Sequence, residues 1–598
     1  MKKTRYSVKT VCLLAMCGVA LFANAQDDKK KEQDLNRQMT LEREYDPSVQ
    51  DASKVNTLPQ VKEPEVRKIP IDYSDYTLAM DPAQQISVLP SGNIMTQMDY
   101  NKRRGYLRLG AGTYMNLNGD FGYHALSTAT DQLSIAFSHR SANGNVKYIQ
   151  LPDEKVKAKI NDNLGGLKYV HAFEKASLNV GLNYGYSAYN YYGLSMLSFS
   201  SLPMQDLLNK ADRETNQVNQ TIAATLGVES KEDADLAYLV DLGFVNFSRK
   251  YGISKDTDGP KETTIEAKVN VSKRFNGDMR FGLEALVEYF NYSLPAEKAL
   301  PNGGLYICEF ENHAEVALHP YYEVEGENWK VRLGANVMLK TGDESLFMAT
   351  PNVAANFEVA DKTELYIKAN GKLYSNSMYE MSKINRYLPA EELTPSRNWL
   401  DGVLGIKSGV APGFWFDIFA GYKMTSDDVL FVPGRTFEEG GFGNFSEAMS
   451  GINTKQLFVG ASLKYSYQQL FELTLKGQYN NWKAEYGDEW IGFSDSSLEH
   501  AWGKPEMELN AGVMVRPMDK LAVALDYSLA TGRYTLLAGV DLYKMNNINE
   551  LNLTATYTLN DTFGFYAKVN NLLSQKYELY YGYPMQRLSA QVGVNINF

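Results

Sequence analysis

From residue 105 to the end of the chain, apolar and polar side chains alternate almost one by one. The pattern is cleanest in the last stretch. Leu588, Ala590, Val592, Val594, Ile596 and Phe598 fall on one side, and Arg587, Ser589, Gln591, Gly593, Asn595 and Asn597 on the other. A period of two predicts a strand with one apolar and one wetted face. Because this strand runs to an aromatic last residue, the expectation is a final strand that pairs with the first and closes a cylinder, leaving no free edge. Leu588, Val592, Val594, Ile596 and Phe598 are then the closure and assembly signal.

The same alternation starts at Gly105. Leu107, Leu109, Ala111, Met115 and Leu117 share a face opposite Arg108, Gly110, Gly112 and Asn116. It returns in Trp329 to Leu339, Phe414 to Tyr422, Leu457 to Tyr467, Leu521 to Leu529 and Leu551 to Leu559, giving roughly 22 segments in all. The connections sort by parity. Glu174-Lys175, Asn276-Gly277, Ala360-Asp361-Lys362, Ala411-Pro412-Gly413, Pro517-Met518-Asp519 and Asn560-Asp561-Thr562 are short. The stretches near 141–160, 191–213, 251–261, 379–395, 429–453, 488–503 and 534–546 are longer, and each follows an odd-numbered strand. A transmembrane barrel alternates short turns with long loops in this way, whereas a soluble sandwich has no cause to. The fold class expected is all-β: a transmembrane antiparallel barrel over residues 104–598, about 22 strands at roughly 9–11 membrane-crossing residues each.

Two segments precede it. Lys2, Lys3, Arg5 and Lys9, the apolar run Val11 to Phe22, and Ala23-Asn24-Ala25 read as a signal peptide over residues 1–25. Residues 26–103 carry Pro47, Pro59, Pro64, Pro70, Pro82 and Pro90, which rules out a long regular element there. The reading is an irregular, partly disordered periplasmic lead in front of the barrel. Lys102, Arg103 and Arg104 suit anchoring at the periplasmic interface.

Composition supports export and a membrane. The formal charge is −11, and nearer −15 once the four leader cations are removed, which argues against nucleic acid as a partner. Forty tyrosines suit a bilayer interface. With Cys12 and Cys17 in the leader, Cys308 is the one remaining thiol, so no internal disulfide can form. Past the leader, no apolar window reaches the length of a helical span.

The closing residues also carry a resemblance. Val569-Asn570-Asn571-Leu572-Leu573, Lys576-Tyr577-Glu578 and the turn Tyr583-Pro584 with Arg587, followed by the aromatic terminal strand, resemble the end of TonB-dependent receptors. The likeness covers the barrel, about four-fifths of the chain, and implies 22 strands. It does not extend to the family's plug domain, because residues 26–103 are too few and too proline-broken. A lumen of that width needs filling, and the lead and the long loops are expected to narrow it.

Candidate chemistry is sparse. No His-Glu-x-x-His, phosphate-loop or nucleophile-elbow pattern occurs, so no catalytic residue, cofactor or metal is expected. His313 and His319 share a strand face without an accompanying ligand motif. Asp427 and Asp428, with Glu438 and Glu439, flank a glycine-rich loop around Arg435; they read either as solvated acids or as contacts to a cation or solute. Trp490 and Trp502 read as membrane girdle or as sugar-stacking platforms. Asp427, Asp428, Arg435, Trp490 and Trp502 are the possible outer-loop ligand contacts. The function expected is a role in moving a solute across a Gram-negative outer membrane. The alternative is a non-transporting scaffold that recruits periplasmic or outer-membrane proteins through residues 26–103. Outer-membrane lipid is a partner in either case.

Overall fold

The computed structural model describes residues 103–194, 216–231, 236–252, 257–275, 277–299, 305–306, 308–342, 345–434, 445–487, 499–537 and 541–598. The expected signal peptide and nearly all of the lead lie outside these residues.

The alternating segments form one antiparallel sheet of 22 strands. Its first strand, Gly105–Gly112, pairs on one side with Leu117–Ser127 and on the other with the last strand, Ser589–Asn597. Leu107 sits opposite Ile596, Leu109 opposite Val594 and Ala111 opposite Val592. The sheet is therefore a closed barrel, which satisfies every wall amide without an edge. Closure is reinforced at the terminus, where Gly105 and Phe598 exchange backbone hydrogen bonds of 2.9 Å each. The Phe598 ring stacks on Phe121 and Tyr123 at 6.4 and 6.1 Å.

The apolar face of the alternation points outward. Leu404, Ile418, Val459, Leu333, Phe281 and Val592 stand exposed on the wall, between 50 and 65 % accessible, as side chains meant for acyl chains must. The opposite face carries Arg108, Asp120, Arg332, Lys407, Asp417 and Asn595 into the lumen, several of them paired. Arg140 grips Asp120 at 2.7 and 2.9 Å, Arg332 meets Glu284 at 2.7 Å, and Lys407 meets Glu364 at 3.0 Å.

The parity rule for connections holds, with corrections to their extents. The stretch 141–160 is mostly strand: Asp131–Lys147 and Lys155–Ala172 stay paired to within seven residues of each other. Likewise 429–453 is largely the ends of Phe414–Pro433 and Ser446–Tyr467, which are 20 and 22 residues long. These strand ends rise beyond the apolar belt, where the outward face turns polar, as in Asn143, Asn145, Lys155 and Lys157, and the inward face turns apolar, with Val146, Val156 and Ala158 buried. The period of two persists there, with the apolar face now turned toward the loops inside the barrel mouth. Two further long connections, 294–312 and 571–588, join the same end of the barrel. The second contains Tyr583, Pro584 and Arg587, and it turns at Tyr580 to Tyr583, where the Tyr583 amide donates to the Tyr580 carbonyl at 3.0 Å.

Clustered apolar burial is concentrated at that end. Among the described residues, the six clusters of buried hydrophobic side chains are built from loops and loop-side strand ends, around residues such as Tyr192, Trp502, Phe290, Leu388, Met348 and Tyr577.

Candidate functional site

The connection 375–395 leaves the wall between the thirteenth and fourteenth strands and turns into the lumen. Its only regular piece is the helix Met378–Ile384. Ser377 caps it, accepting from the Glu380 amide at 3.3 Å, and Lys383 lies in its last turn, so both ends are matched to the helix dipole. Two wall carboxylates clasp its start. Glu262, on the eighth strand, accepts from Ser377 Oγ at 2.9 Å and from the Tyr379 amide at 3.0 Å. Glu315, on the tenth, accepts from Ser375 Oγ at 2.8 Å. Burial pushes the Glu380 carboxyl up and the Lys383 amine down, so each charge leans on its neighbours.

Past the helix the chain crosses to the far wall. Arg386 forms a forked pair with Asp162 of the fourth strand at 3.0 and 3.1 Å. Burial works against that guanidinium, but Asp162 outweighs it and holds its pKa above the ordinary value. Arg249 of the seventh strand donates to the Leu388 carbonyl at 2.9 Å.

Other long loops meet this segment at the centre. Tyr387 stacks on Tyr583 with 3.9 Å between ring centroids, and Tyr192 packs edge-on to both, at 5.6 and 5.1 Å. Tyr192 follows the fifth strand, Tyr387 the thirteenth and Tyr583 the twenty-first. Side chains spaced so far around a 22-strand ring can touch only by reaching across its lumen. The backbone joins them too: Leu194 N donates to Gly582 O at 3.0 Å. Gly582 has φ +80°, and a Cβ there would lie 2.4 Å from the Leu194 carbonyl oxygen, so glycine is required at this crossing. Tyr580 donates to the Ile384 carbonyl at 2.6 Å. Arg533, fully buried, donates to the carbonyls of Glu578 and Leu579, and burial lowers its pKa to about 10. The Glu578 carboxyl, 3 % exposed, is pushed up by burial to about 7 despite a 3.2 Å hydrogen bond from Gln150. Together these contacts make a cap of loops across the long-loop mouth.

Beneath the cap lies a chamber of about 990 Å³. Tyr192, Tyr387 and Tyr583 bound it on the cap side; the wall contributes Lys423, Gln456, Asn480, Trp482, Asn552 and Lys568. Two of its charges are matched within the protein: Lys423 lies 4.0 Å from Asp401, and Lys504 pairs with Asp428. Burial lowers the Lys504 amine in spite of that partner. The remaining lining mixes amides and aromatic rings with aliphatic Val429, Leu430 and Val432 and charged Glu508, Glu550 and Lys568, suited to a polar solute of moderate size.

The residues singled out from the sequence fall in three places. Asp427 and Asp428 are adjacent but turn to different partners. Asp427, at φ +54°, accepts from Arg397 Nε at 2.8 Å; Asp428 is buried against Thr454 and Lys504 and accepts from the Val429 amide at 2.9 Å. Trp502, 1 % exposed, is core of the loop region, packed on Tyr486 at 4.6 Å, with an edge lining the chamber. Arg435 and Trp490 lie outside the described residues. Tyr583 is at the middle of the cap, Pro584 accepts there from Tyr192, and Arg587 donates from the surface to Ser574 O at 3.2 Å. The helix and its anchors Glu262, Glu315, Asp162 and Arg386 were missed. A Ser-x-x-Glu capping signal at Ser377 and Glu380 was available to mark the helix start.

No protein-family model matches the chain, and no curated protein matches its sequence. Solved structures match its fold. Ferripyoverdine-bound FpvA from Pseudomonas aeruginosa superposes with a TM-score of 0.61 at 11 % identity, over 83 % of this chain and 72 % of that one. The copper transporter OprC gives 0.59 at 11 % identity, over 83 % and 80 %. The ferric-catecholate import receptor Fiu from E. coli K12 gives 0.58 at 10 %, over 83 % and 82 %. The barrel thus shares its fold with these outer-membrane receptors and this transporter.

Proposed function

We propose that this barrel sits in a Gram-negative outer membrane, with its short turns and N-terminal lead on the periplasmic side, and takes part in moving a polar solute across. The observation that supports this most is the solute-sized chamber held inside a transport-type barrel beneath a cap of its own loops. In this reading Tyr192, Tyr387 and Tyr583 form the gate, the wall amides and Trp482 contact the solute, and passage requires the 375–395 segment to lift. The outer-loop acids Asp427 and Asp428 act from within this frame, by fixing Arg397 and Lys504, and not as direct ligands.

The test is uptake by the purified full-length protein in liposomes across a panel of neutral and charged solutes smaller than the chamber. Saturable entry of one class, abolished when Gln456, Asn480 and Asn552 are replaced by Leu, supports the reading. If no solute enters and periplasmic proteins instead co-purify through residues 26–103, the scaffold reading replaces it.

A further inference from the structure

The third and fourth strands carry a charged outer face where they rise above the belt. Their odd-numbered residues point away from the lumen: Ile135 and Phe137 stand exposed on the wall, and the even-numbered Val146, Val156 and Ala158 are buried inside the mouth. On the outer face Lys147 sits opposite Lys155, Asn145 opposite Lys157 and Asn143 opposite Lys159. Among the described residues, none of these four lysines has an ion pair or a side-chain hydrogen bond. From Leu133 to Lys147 and from Lys155 to Tyr169, no outward position holds a carboxylate. Asp162 faces the lumen, where Arg386 holds it, and Asp153 and Glu154 lie in the hairpin tip beyond the lysines.

Like charges directly opposite each other on a sheet repel. Elsewhere the wall relieves such a pair itself: Lys455 and Lys483 face each other on the sixteenth and seventeenth strands, and Glu485 pairs with Lys455. The polar side chains just below the four lysines also satisfy one another. His139 shares hydrogen bonds with Asn163 at 2.8 Å and Ser141 at 3.0 Å, and Asn163 donates to Asn161 at 2.8 Å. At Lys147, Lys155, Lys157 and Lys159 a counter-charge is available only from outside the chain.

The wall beside them fixes their height. Leu117, 48 % exposed, lies opposite Ser141, which lies opposite Asn161. Apolar surface thus reaches that row, and Asn143 and Lys159 stand one outward pair above it. From Leu133 to Asn143 the strand, at about 3.3 Å per residue and tilted about 40°, rises roughly 25 Å, the height of a barrel's apolar band. Lys157 and Lys155 continue about 10 Å further into the polar layer. A phosphorylated glycolipid has the same stratification, with acyl chains below and phosphates directly above them, and phosphate is a good partner for ammonium groups.

We propose that this hairpin face binds one phosphorylated glycolipid of the outer leaflet, with its acyl chains on the belt at Ile135, Phe137 and Leu117 and its phosphates at Lys159, Lys157 and Lys155. The proposal rests on the orientation given above, with the long loops outward, and is independent of which solute, if any, the barrel carries.

Native mass spectrometry of the full-length protein in detergent, titrated with bisphosphorylated lipid A or with the same glycolipid stripped of its phosphates, tests it. The wild type is expected to retain one phosphorylated molecule and to prefer it at least tenfold. Lys155→Glu, Lys157→Glu and Lys159→Glu together should abolish that preference and leave the stripped glycolipid unchanged. Lys455→Glu with Lys483→Glu, on the far wall, should leave both unchanged. Unaltered heat-modifiability on gels shows that each variant still folds. Orientation is read separately, by labelling Asp153→Cys on intact cells with a membrane-impermeant maleimide in a Cys308→Ser background; labelling is expected. Equal retention of the two glycolipids, equal retention by the triple variant and the wild type, or tighter binding of soluble dextran sulfate at the same lysines overturns the proposal. With Asp153→Cys labelled, these results overturn this inference alone; an unlabelled Asp153→Cys overturns the orientation with it.

Discussion

The outer belt and the loop cap both consist of apolar side chains, yet they obey opposite rules. On the belt, Leu404 and Val592 are 60 and 65 % exposed because lipid is their solvent; in the cap, Tyr583 and Trp502 are 2 and 1 % exposed because other side chains enclose them. The belt has to match a fluid, so its residues can be exchanged for others of similar polarity. The cap has to match itself, across the width of a barrel, through stacked rings and carbonyl-directed hydrogen bonds. Packing defects therefore cost much in the cap and little on the belt, while added charge costs on both.

The largest effect should come from the centre of the cap. Tyr583→Ala removes a ring stacked at 3.9 Å on Tyr387 and is expected to destabilise the cap by about 4 kcal/mol, the usual cost of deleting a buried aromatic. Faster hydrogen exchange across residues 577–586, with wall amides unchanged, is the readout. A belt truncation such as Leu404→Ala should leave both unchanged, since an acyl chain takes the vacated space; a comparable loss would erase the distinction between the two regions.

Next comes acidity. With a folded-state pKa raised to about 7, Glu578 binds more protons in the closed cap than in the opened one between its ordinary value and 7. Its contribution is fully present below about 4.5, falls as pH rises through about 7, and is flat above that; the span is on the order of 3 kcal/mol. Cap protection factors, corrected for the intrinsic pH dependence of amide exchange, should fall from pH 5 to pH 8, and Glu578→Gln should remove most of that slope. The protection of a belt amide, corrected in the same way, should show no slope.

Charge on the belt is the third test. Leu404→Arg, at mid-strand opposite Ile367, should cost about 3 kcal/mol in urea-driven folding into lipid vesicles. The smallest effect should be Arg587→Ala, exposed and held by one 3.2 Å hydrogen bond, expected to shift stability by less than about 0.5 kcal/mol in the same assay.

This contrast also separates what could be read in the sequence from what could not. The belt, the strand number and the pairing of the last strand with the first were legible because the bilayer imposes a period of two on every wall segment. The parity of the loops was legible because the two sides of the membrane differ. The strand ends at 141–147 and 155–160 were not, because the lysines and asparagines on their outward face read as loop, although Val146, Val156 and Ala158 continue the alternation on the inward face. The cap escaped as well: Asp162 and Arg386 are 224 positions apart, and nothing local in either marks the other as its partner. Asp427 and Asp428 drew notice as adjacent acids, but their meaning lay in Arg397 and Lys504, on two other elements. Tyr583 and Pro584 were visible as a motif without their place at the centre of the cap.

The central claim is that the barrel's own loops close its lumen. Planar-bilayer conductance of the protein lacking residues 27–100, beside the full chain, tests it most directly. With the loops intact, both are expected to stay closed, with only brief openings. Large, steady pores that appear when residues 27–100 are removed would contradict it and assign the closure to the lead.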